Sequence, residues 1–224
     1  MKYVFSFLLL VLSLGLSGQK TFNKASDSDP KAKKILDALK KEYNGYKSME
    51  VVFELVLELK GQPTETQKGK LIQQGKKYQV SIADQEIYCD GKAVWLYLKS
   101  NKEVQINDFE EGQGADVMSP AEMLRLYESG QYAYAITGNA IENGTNVTQI
   151  EFKPLDKNSE YSKIRLSVSE KNNKASSIKV FSKDGSRYTL VVKSIVPNKT
   201  YASDVFVFNA KKHPGVHIED LRID

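Results

Sequence analysis

The sequence predicts a mainly β protein of the α+β class, in which one curved antiparallel sheet of about eleven strands is covered by two helices. Short stretches with an apolar residue at every second position recur along most of the chain. Turn sequences such as residues 171–174 and 183–186 separate them, as is typical of antiparallel hairpins. Two other stretches space their apolar residues by three and four positions, which is a helical period.

The first of these helices is predicted within residues 26–46. Asp29 can cap its start, Pro30 suits the first helical position, and Gly45 can end it. The apolar stripe along one side of the helix consists of Ile35, Leu36, Leu39 and Tyr43. Lysines occupy the opposite side, so we expect the stripe to pack against the chain's own sheet; a membrane-surface helix is the alternative.

The second helix is predicted at residues 119–130, between two groups of strands. Ser119 can cap it, Pro120 suits the first position, and Glu122 completes a capping box. Gly130 can end it. Its apolar side consists of Met123, Leu124, Leu126 and Tyr127. A helix placed between the strands of one sheet usually crosses the face or the mouth of that sheet.

The strands follow one another without a linker or an internal repeat. Alternation is clearest in residues 51–60, where five apolar side chains share one face and charged residues share the other. Further alternating stretches are residues 76–82, 131–136, 146–152, 163–169, 176–182 and 187–193. We therefore expect a single domain over residues 19–224.

Residues 87–106 contain a strand that is apolar on both faces. Asp90 and Gly91 before it predict a two-residue hairpin turn with positive φ at both positions. The two faces of the strand are formed by Val94, Leu96 and Leu98 on one side and by Ala93, Trp95 and Tyr97 on the other. One face is expected to look into the space beneath the helices, and the other to pack under a loop or under residues 205–208.

Composition and charge narrow the function classes. Hydrophobic residues make up 41% of the 224 residues and charged residues 27%, as in a globular protein. The net charge is +4, but acids interleave with the lysines, so binding to nucleic acid is not predicted. Residues 1–18 combine a positive start, an apolar core and small residues at the end, which predicts a cleaved secretory signal peptide.

Cys89 is the only cysteine of the chain. It excludes an intramolecular disulfide and a multi-cysteine zinc site, and its place beside a turn predicts a small buried side chain. A lipid-anchored bacterial lipoprotein would carry a cysteine near residues 17–20, so an exported protein without an anchor is expected. His213 and His217 flank a Pro-Gly turn without a third ligand nearby, and no catalytic motif is present. A cofactor-free binding protein is predicted rather than an enzyme.

Four stretches, taken together and in order, resemble the LolA-type family of periplasmic carriers of outer-membrane lipoproteins. The hairpin at residues 90–97 matches the family's Asp-Gly-x-x-aliphatic-Trp-x-Tyr motif. Residues 46–55 resemble its passage from helix to first strand, residues 119–130 its proline-started helix, and residues 205–220 its closing strand and Pro-Gly-Val tail.

The resemblance implies an unclosed β-barrel with the helices as a lid over an apolar cavity for acyl chains. Such a protein would be a soluble periplasmic monomer that takes acylated lipoproteins from an inner-membrane ABC transporter and passes them to an outer-membrane acceptor. One departure concerns the lid. Gly75 stands where the family often has an arginine tied to lid closure, so that role is not transferred to Lys76 or Lys77.

On this interpretation the alternating rows line the cavity. The predicted acyl-chain residues are Phe53, Leu55, Leu57, Tyr78, Val80, Ile82, Trp95, Tyr97, Tyr132 and Tyr134. The predicted lid residues are Ile35, Leu36, Leu39, Met123, Leu124 and Tyr127. Periodicity alone equally allows an ordinary filled core, and the alternatives to a lipoprotein carrier are a carrier of other lipids or amphiphiles and a structural or scaffolding sheet protein.

Overall fold

A computed structural model describes residues 24–110, 124 and 126–222. Within these residues twelve strands form one curved sheet, which confirms the mainly β class. The strands are β1 (Met49–Glu58), β2 (Glu65–Gln74), β3 (Lys77–Ile82), β4 (Gln85–Cys89), β5 (Ala93–Leu98), β6 (Glu103–Asp108), β7 (Tyr132–Glu142), β8 (Thr145–Pro154), β9 (Tyr161–Ser169), β10 (Ala175–Ser182), β11 (Arg187–Pro197) and β12 (His217–Asp220).

The strand order is β12-β6-β5-β4-β3-β2-β1-β11-β10-β9-β8-β7, so most neighbours in the sheet are consecutive hairpin partners. The first strand pairs antiparallel with β11, which joins the two meanders. Although β6 and β7 are consecutive in the sequence, they lie near opposite ends of the sheet. The sheet is therefore an unclosed barrel.

The strand count differs from the prediction by one, because β12 has no apolar alternation. Its four residues are all exposed, and it pairs in parallel with β6. Parallel pairing of a short exposed segment leaves no periodic signal in the sequence, so the expected tail is an additional edge strand. The expected closing strand before it is not a strand. Residues 198–216 between β11 and β12, here named the C-terminal segment, contain two short 3₁₀ helices, Ser203–Phe206 and Ala210–Lys212.

The first predicted helix is confirmed as α1 (Pro30–Asn44). The Asp29 side chain accepts a hydrogen bond from the Lys31 amide at 2.8 Å, and Gly45 follows the last helical residue. The buried side of α1 consists of Ala32, Leu36, Leu39 and Tyr43. In the part of the chain that the structure describes, no helix is long and apolar enough to cross a membrane.

Half of the second predicted helix falls outside the described residues, and Ser119, Pro120, Glu122 and Met123 lie there. Leu124 and Leu126 are helical. Gly130 has a φ of +70°, a conformation that glycine adopts readily and that suits the end of a helix.

The hairpin turn between β4 and β5 differs from its prediction. Of the Asp90-Gly91 pair, only Gly91 has a positive φ, of +88°. The Asp90 carboxylate instead accepts hydrogen bonds from the amides of Lys92 and Ala93 at 2.8 and 3.0 Å. This side chain stabilises the turn with Gly91 at its first central position, so positive φ at both residues is not needed.

The sheet carries a cluster of buried apolar side chains on each face. The larger cluster, here named the main core, joins α1 to β1–β4 and β7–β11, and we name this side of the sheet the core face. Its largest fully buried side chains are Leu36, Leu39, Val51, Phe53, Val80, Ile150, Phe152, Ile164, Leu166 and Ile178. The smaller cluster, the outer cluster, lies on the opposite or outer face and consists of Tyr97, Val104 and Phe208, with Tyr88, Trp95, Ala210 and Val216 against it.

Candidate ligand-binding site

The core face brings together most of the side chains that were predicted to line a cavity. Phe53, Val80, Ile82 and Tyr134 are buried members of the main core, and Leu55, Tyr78 and Tyr132 pack against it half-buried. Leu57 follows Phe53 and Leu55 on the same side of β1 and is half-buried. These side chains come from β1 and β3, which are separated only by β2, and from β7 at the end of the sheet, and the cluster they form also contains residues of α1.

Trp95 and Tyr97 lie on the other face of the sheet, which corrects their predicted position. Both belong to the outer cluster, where the Tyr97 ring lies 5.2 Å from that of Phe208. Val94 and Leu96 of the same strand pack on the main core instead. The two-sided apolar strand therefore covers the core on one face and lies beneath the C-terminal segment on the other, as expected, but with the faces exchanged.

The predicted helix residues pack where the prediction placed them, as far as they are described. Leu36 and Leu39 are buried in the main core and Ile35 packs against it. Leu124 and Tyr127 are also buried members of the main core. Met123 lies outside the described residues.

Polar contacts fasten the start of α1 to the edge strand β7. The Asp29 amide donates to the Tyr134 carbonyl at 2.8 Å, and the Tyr134 amide donates to Ser28 Oγ at 3.1 Å. Near the other end of α1, the Tyr43 hydroxyl accepts from the Ala175 amide at 3.0 Å. Burial raises the pKa of Tyr43 to about 12, so this phenol is neutral at physiological pH.

Two further contacts join α1 to residues 124–130. The Tyr127 hydroxyl donates to Asp37 Oδ1 at 3.0 Å, and the Lys40 ammonium forms an ion pair with Glu128. The hydrogen bond from Lys33 and that from Tyr127 lower the pKa of Asp37, and the hydrogen bond from Lys40 lowers that of Glu128. Both carboxylates are thus ionised at neutral pH, and their contacts link α1 to Tyr127 and Glu128 at the exposed edge of the helix.

A cavity of about 550 Å³ opens where α1 ends and β1 begins. Its lining consists of Lys40, Tyr43, Asn44, Tyr46, Lys47, Ser48, Met49, Gln73, Gly75, Lys76, Leu124 and Glu128. A volume of this size is typical of small-molecule sites. Among the predicted site residues that the structure describes, only Leu124 contributes to this lining; the predicted strand residues belong to the main core, pack beside it or, for Trp95 and Tyr97, lie on the outer face.

The cavity lining was missed by the sequence analysis, because it is assembled from three separate turns and helix ends. Met49, the first residue of β1, is one of the lining residues that the sequence analysis did not single out. Gly75, at the β2–β3 turn with a φ of +60°, also lines the cavity, and as a glycine it places no side chain there.

The remaining candidates for chemistry have structural explanations. Cys89 is fully buried, and burial raises the pKa of its thiol, as expected of a structural cysteine. The His213 ring lies 4.5 Å from Tyr97 and stacks on Phe208 at 4.9 Å. Among the described residues, no group of three His, Cys, Asp or Glu side chains could hold a metal ion.

Comparison with solved structures places this fold among known ones. An uncharacterised conserved protein from Thermus thermophilus is 10% identical, with a TM-score of 0.55 over 85% of this chain and 99% of its own. LprF from Mycobacterium bovis is 14% identical, with a TM-score of 0.49 over 79% of this chain and 98% of its own. A LolA superfamily protein from Nitrosomonas europaea is also 14% identical, with a TM-score of 0.41 over 79% and 97% of the two chains.

No curated protein matches the chain. The family model described as "Outer membrane lipoprotein carrier protein LolA" matches residues 44–209, from the end of α1 to the C-terminal segment. This range contains β1–β11, the cavity-lining turns and the outer cluster, so the match covers both faces of the sheet. The chain therefore belongs to the LolA family of outer membrane lipoprotein carrier proteins.

Proposed function

We propose that this protein is an exported, monomeric carrier that binds the acyl chains of lipoproteins on the core face of its sheet. It would take its cargo from an inner-membrane ABC transporter and give it to an outer-membrane acceptor. The observation that carries this proposal is the apolar core face, which is covered by one amphipathic helix with a cavity open at the end of that helix. Membership of a lipoprotein carrier family supports the same function.

In this proposal the acyl chains replace α1 rather than fill a preformed void. Lifting α1 would expose Leu36, Leu39 and Tyr43 to water, at about 2 kcal/mol each or about 6 kcal/mol together. A buried methylene contributes about 0.8 kcal/mol, so about eight methylenes offset this cost. Acyl chains with more methylenes than this would therefore bind in place of α1, and the return of α1 to the sheet would offset part of their binding free energy and so favour release.

The binding surface we propose keeps the predicted residues that lie on the core face and revises one strand. It consists of Phe53, Leu55, Leu57, Tyr78, Val80, Ile82, Tyr132 and Tyr134, with Val94 and Leu96 in place of Trp95 and Tyr97. The cavity beside Leu124 would be the place where the first chain enters, because it borders both covering elements.

Export to the periplasm is part of the proposal. The apolar segment within residues 1–18 supports it, as does the family, whose function requires a compartment between two membranes. A single folded domain beginning near residue 19 would be the mature carrier. Mass spectrometry of the protein recovered from the periplasm would give its first residue and show whether it is lipid-modified.

Retention of an acylated lipoprotein in solution tests the function. The purified protein should keep a triacylated lipoprotein soluble and should not bind the same lipoprotein without its acyl chains. Leu55→Glu, on the core face, should reduce retention at least tenfold, because a carboxylate would be buried against the chains. Val52→Glu is the matched control, since Val52 lies on the same strand but is exposed on the outer face.

Circular dichroism and thermal unfolding would establish that both variants fold. If Leu55→Glu does not fold, Tyr78→Glu is a second core-face substitution for the same test. Unchanged retention in a folded core-face variant, or equal loss in both Leu55→Glu and Val52→Glu, would contradict the proposed binding surface. A wild-type protein that binds acylated and unacylated lipoprotein equally would contradict the function itself.

A further inference from the structure

One polar side chain lies among the apolar residues of the core face. Along β2, Gln73 follows Gly69 and Leu71 on the side of the sheet that carries the main core. Its neighbours across the sheet are Met49 of β1, which is buried in the main core, and Tyr78 of β3, which packs against it. Gln73 also lines the cavity at the end of α1. It therefore lies where the cavity meets the proposed binding surface.

The protein uses only half of the Gln73 side-chain amide. Its Nε2 donates to the Gly75 carbonyl at 3.4 Å, which is long for a hydrogen bond. Its Oε1 is buried, and no residue in the described part of the chain donates a hydrogen bond to it. By contrast, the buried Ser48 of the same lining has a partner, because its Oγ donates to the Lys199 carbonyl. A buried acceptor without a donor is costly, so a ligand that donates to Gln73 Oε1 would remove this cost.

This acceptor selects one class of ligand group. A carbonyl oxygen among apolar neighbours pairs best with a neutral N–H or O–H, because an ammonium group would lose far more hydration on burial than one hydrogen bond returns. In a triacylated lipoprotein, one acyl chain is joined to the N-terminal residue through a secondary amide, and the others are joined through esters, which have no N–H. The amide is therefore the one linkage of the cargo's chains that can donate to Gln73.

We infer that the cavity receives the amide linkage of the cargo's N-terminal acyl chain, and that the N–H of this amide donates to Gln73 Oε1 while the chain lies on the core face of β3. Tyr78, Val80 and Ile82 form that face, beginning at the position beside Gln73. This inference rests on the proposed function, since it uses the core face as the chain-binding surface. It adds the linkage that is recognised and a reason for the exchange: the cargo satisfies an acceptor that the ligand-free protein leaves unpaired.

Two matched amphiphiles test this hydrogen bond in the wild-type protein. N-dodecylacetamide and N-dodecyl-N-methylacetamide have the same chain and the same carbonyl group, but only the first has an N–H. Displacement of a dansyl-labelled fatty acid gives the affinity of each. N-dodecylacetamide should bind about fivefold more tightly, because the methylated amide leaves Gln73 Oε1 unpaired. Equal affinities, or tighter binding of the methylated amide, would overturn the inference.

A pair of substitutions locates the acceptor. Gln73→Met removes the acceptor and keeps an unbranched side chain of similar length, so the two amphiphiles should then bind within about twofold of each other. Gln74→Met is the matched control, because Gln74 is the next residue of β2 but is exposed and outside the lining. It should keep the fivefold preference. Loss of the preference in both variants, or in neither, would overturn the assignment to Gln73.

The melting temperature of the ligand-free protein separates ligand binding from a structural role. Gln73→Met replaces a buried, unpaired acceptor by an apolar group, so the melting temperature should stay the same or rise. A clear fall would mean that the protein itself donates a hydrogen bond to Gln73, and it would overturn the inference.

The cargo distinguishes this inference from the proposed function. Gln73→Met should retain about fivefold less of a triacylated lipoprotein than wild type. It should retain the diacylated form, which has a free amine in place of the amide, as well as wild type does. Equal falls for both forms would assign the hydrogen bond to another N–H of the cargo and overturn the inference. Unchanged retention of the triacylated form would overturn the inference alone, whereas a wild-type protein that retains neither form would contradict the proposed function as well.

Discussion

The two faces of the sheet are covered in different ways and to different extents, because the cluster on the outer face reaches only β4–β6. On the core face the cover is α1, an amphipathic helix held at its edges by polar contacts to Tyr134, Tyr127 and Glu128, with a cavity at its end. On the outer face the cover is the C-terminal segment, whose Phe208 and His213 rings stack on each other and contact Tyr97.

The difference teaches that an apolar face does not by itself indicate a binding site. Both faces of β5 are apolar, yet the outer one is closed by aromatic rings that pack at 4.5 to 5.9 Å. The core face is closed by α1, and in the proposed bound state the acyl chains would replace this helix as the apolar cover. We therefore place the proposed ligand on the core face, and the following changes test that distinction.

The largest effect is expected where β1 and β2 pack most tightly on the core face. Phe53 lies opposite Gly69, and a methyl group on Gly69 would come within 2.3 Å of the Phe53 ring. Phe53→Ala should lower the free energy of unfolding by about 4 kcal/mol, and Gly69→Ala by about 2 kcal/mol. Urea denaturation measures both.

The double variant sharpens this test. With the Phe53 ring removed, a methyl group at Gly69 has room, so Gly69→Ala should cost less than about 1 kcal/mol in the Phe53→Ala background. Costs that simply add would mean that the ring and the glycine do not share this space.

A smaller effect is expected on the outer face, at Glu50. Its carboxylate accepts hydrogen bonds from Lys199 at 2.7 Å and Tyr201 at 3.1 Å and pairs with Lys70 at 3.0 Å, so it fastens the chain after β11 to the sheet. These partners, Lys199 first, lower the pKa of Glu50 to about 2. Glu50→Gln should cost about 2 kcal/mol of unfolding free energy at pH 7.

The pH dependence of that cost has a definite sign. Because the folded-state pKa lies below the ordinary value of 4.5, the contribution of Glu50 is complete above pH 4.5 and is lost as the pH falls towards 2. The stability difference between wild type and Glu50→Gln should therefore shrink over this range, and Glu219→Gln on exposed β12 serves as control. A stability difference that stays constant with pH would contradict the lowered pKa of Glu50. Reduced lipoprotein retention in Glu50→Gln would contradict a purely structural role of the outer face.

The smallest effect is expected at the edge of α1. Tyr127→Phe removes the hydroxyl that bonds Asp37 and should make local opening of α1 easier by about 1 kcal/mol, or about fivefold in population. Hydrogen exchange of the α1 amides measures it. Tyr46→Phe is the control. It removes a hydroxyl, just after the helix, that bonds Glu42 in the last turn of α1, and it should leave the opening of the whole helix unchanged. Equal exchange rates in wild type and Tyr127→Phe would rule out Tyr127 as a fastening of the cover.

Much of the fold could be predicted because it depends on local patterns. Asp29, Pro30 and Gly45 mark the ends of α1 through capping and backbone preference. The alternation of apolar and polar residues predicts β1, because successive side chains of a strand face opposite sides of the sheet. The parallel edge strand β12 could not be predicted, because its residues are all exposed and carry no period.

The site was harder to predict, because it depends on which face is inside. Alternation shows that Trp95 shares a face with Tyr97 and that Val94 shares one with Leu96, but two apolar faces give no sign of which is covered by α1. The cavity depends on how a helix end, a turn and residues 124–128 meet in space, and such a gap leaves no pattern in the sequence.

The distance between α1 and the sheet tests the central claim most directly. Spin labels would be attached at Lys34→Cys on α1 and Ser162→Cys on β9 in a Cys89→Ala background. The distance between them would be measured by pulsed electron paramagnetic resonance with and without bound acylated lipoprotein. A second pair, Lys211→Cys with Ser162→Cys, would follow the outer cover. We predict that cargo lengthens the first distance and leaves the second unchanged; a bound state in which α1 keeps its distance, or in which the outer cover moves instead, would contradict the account.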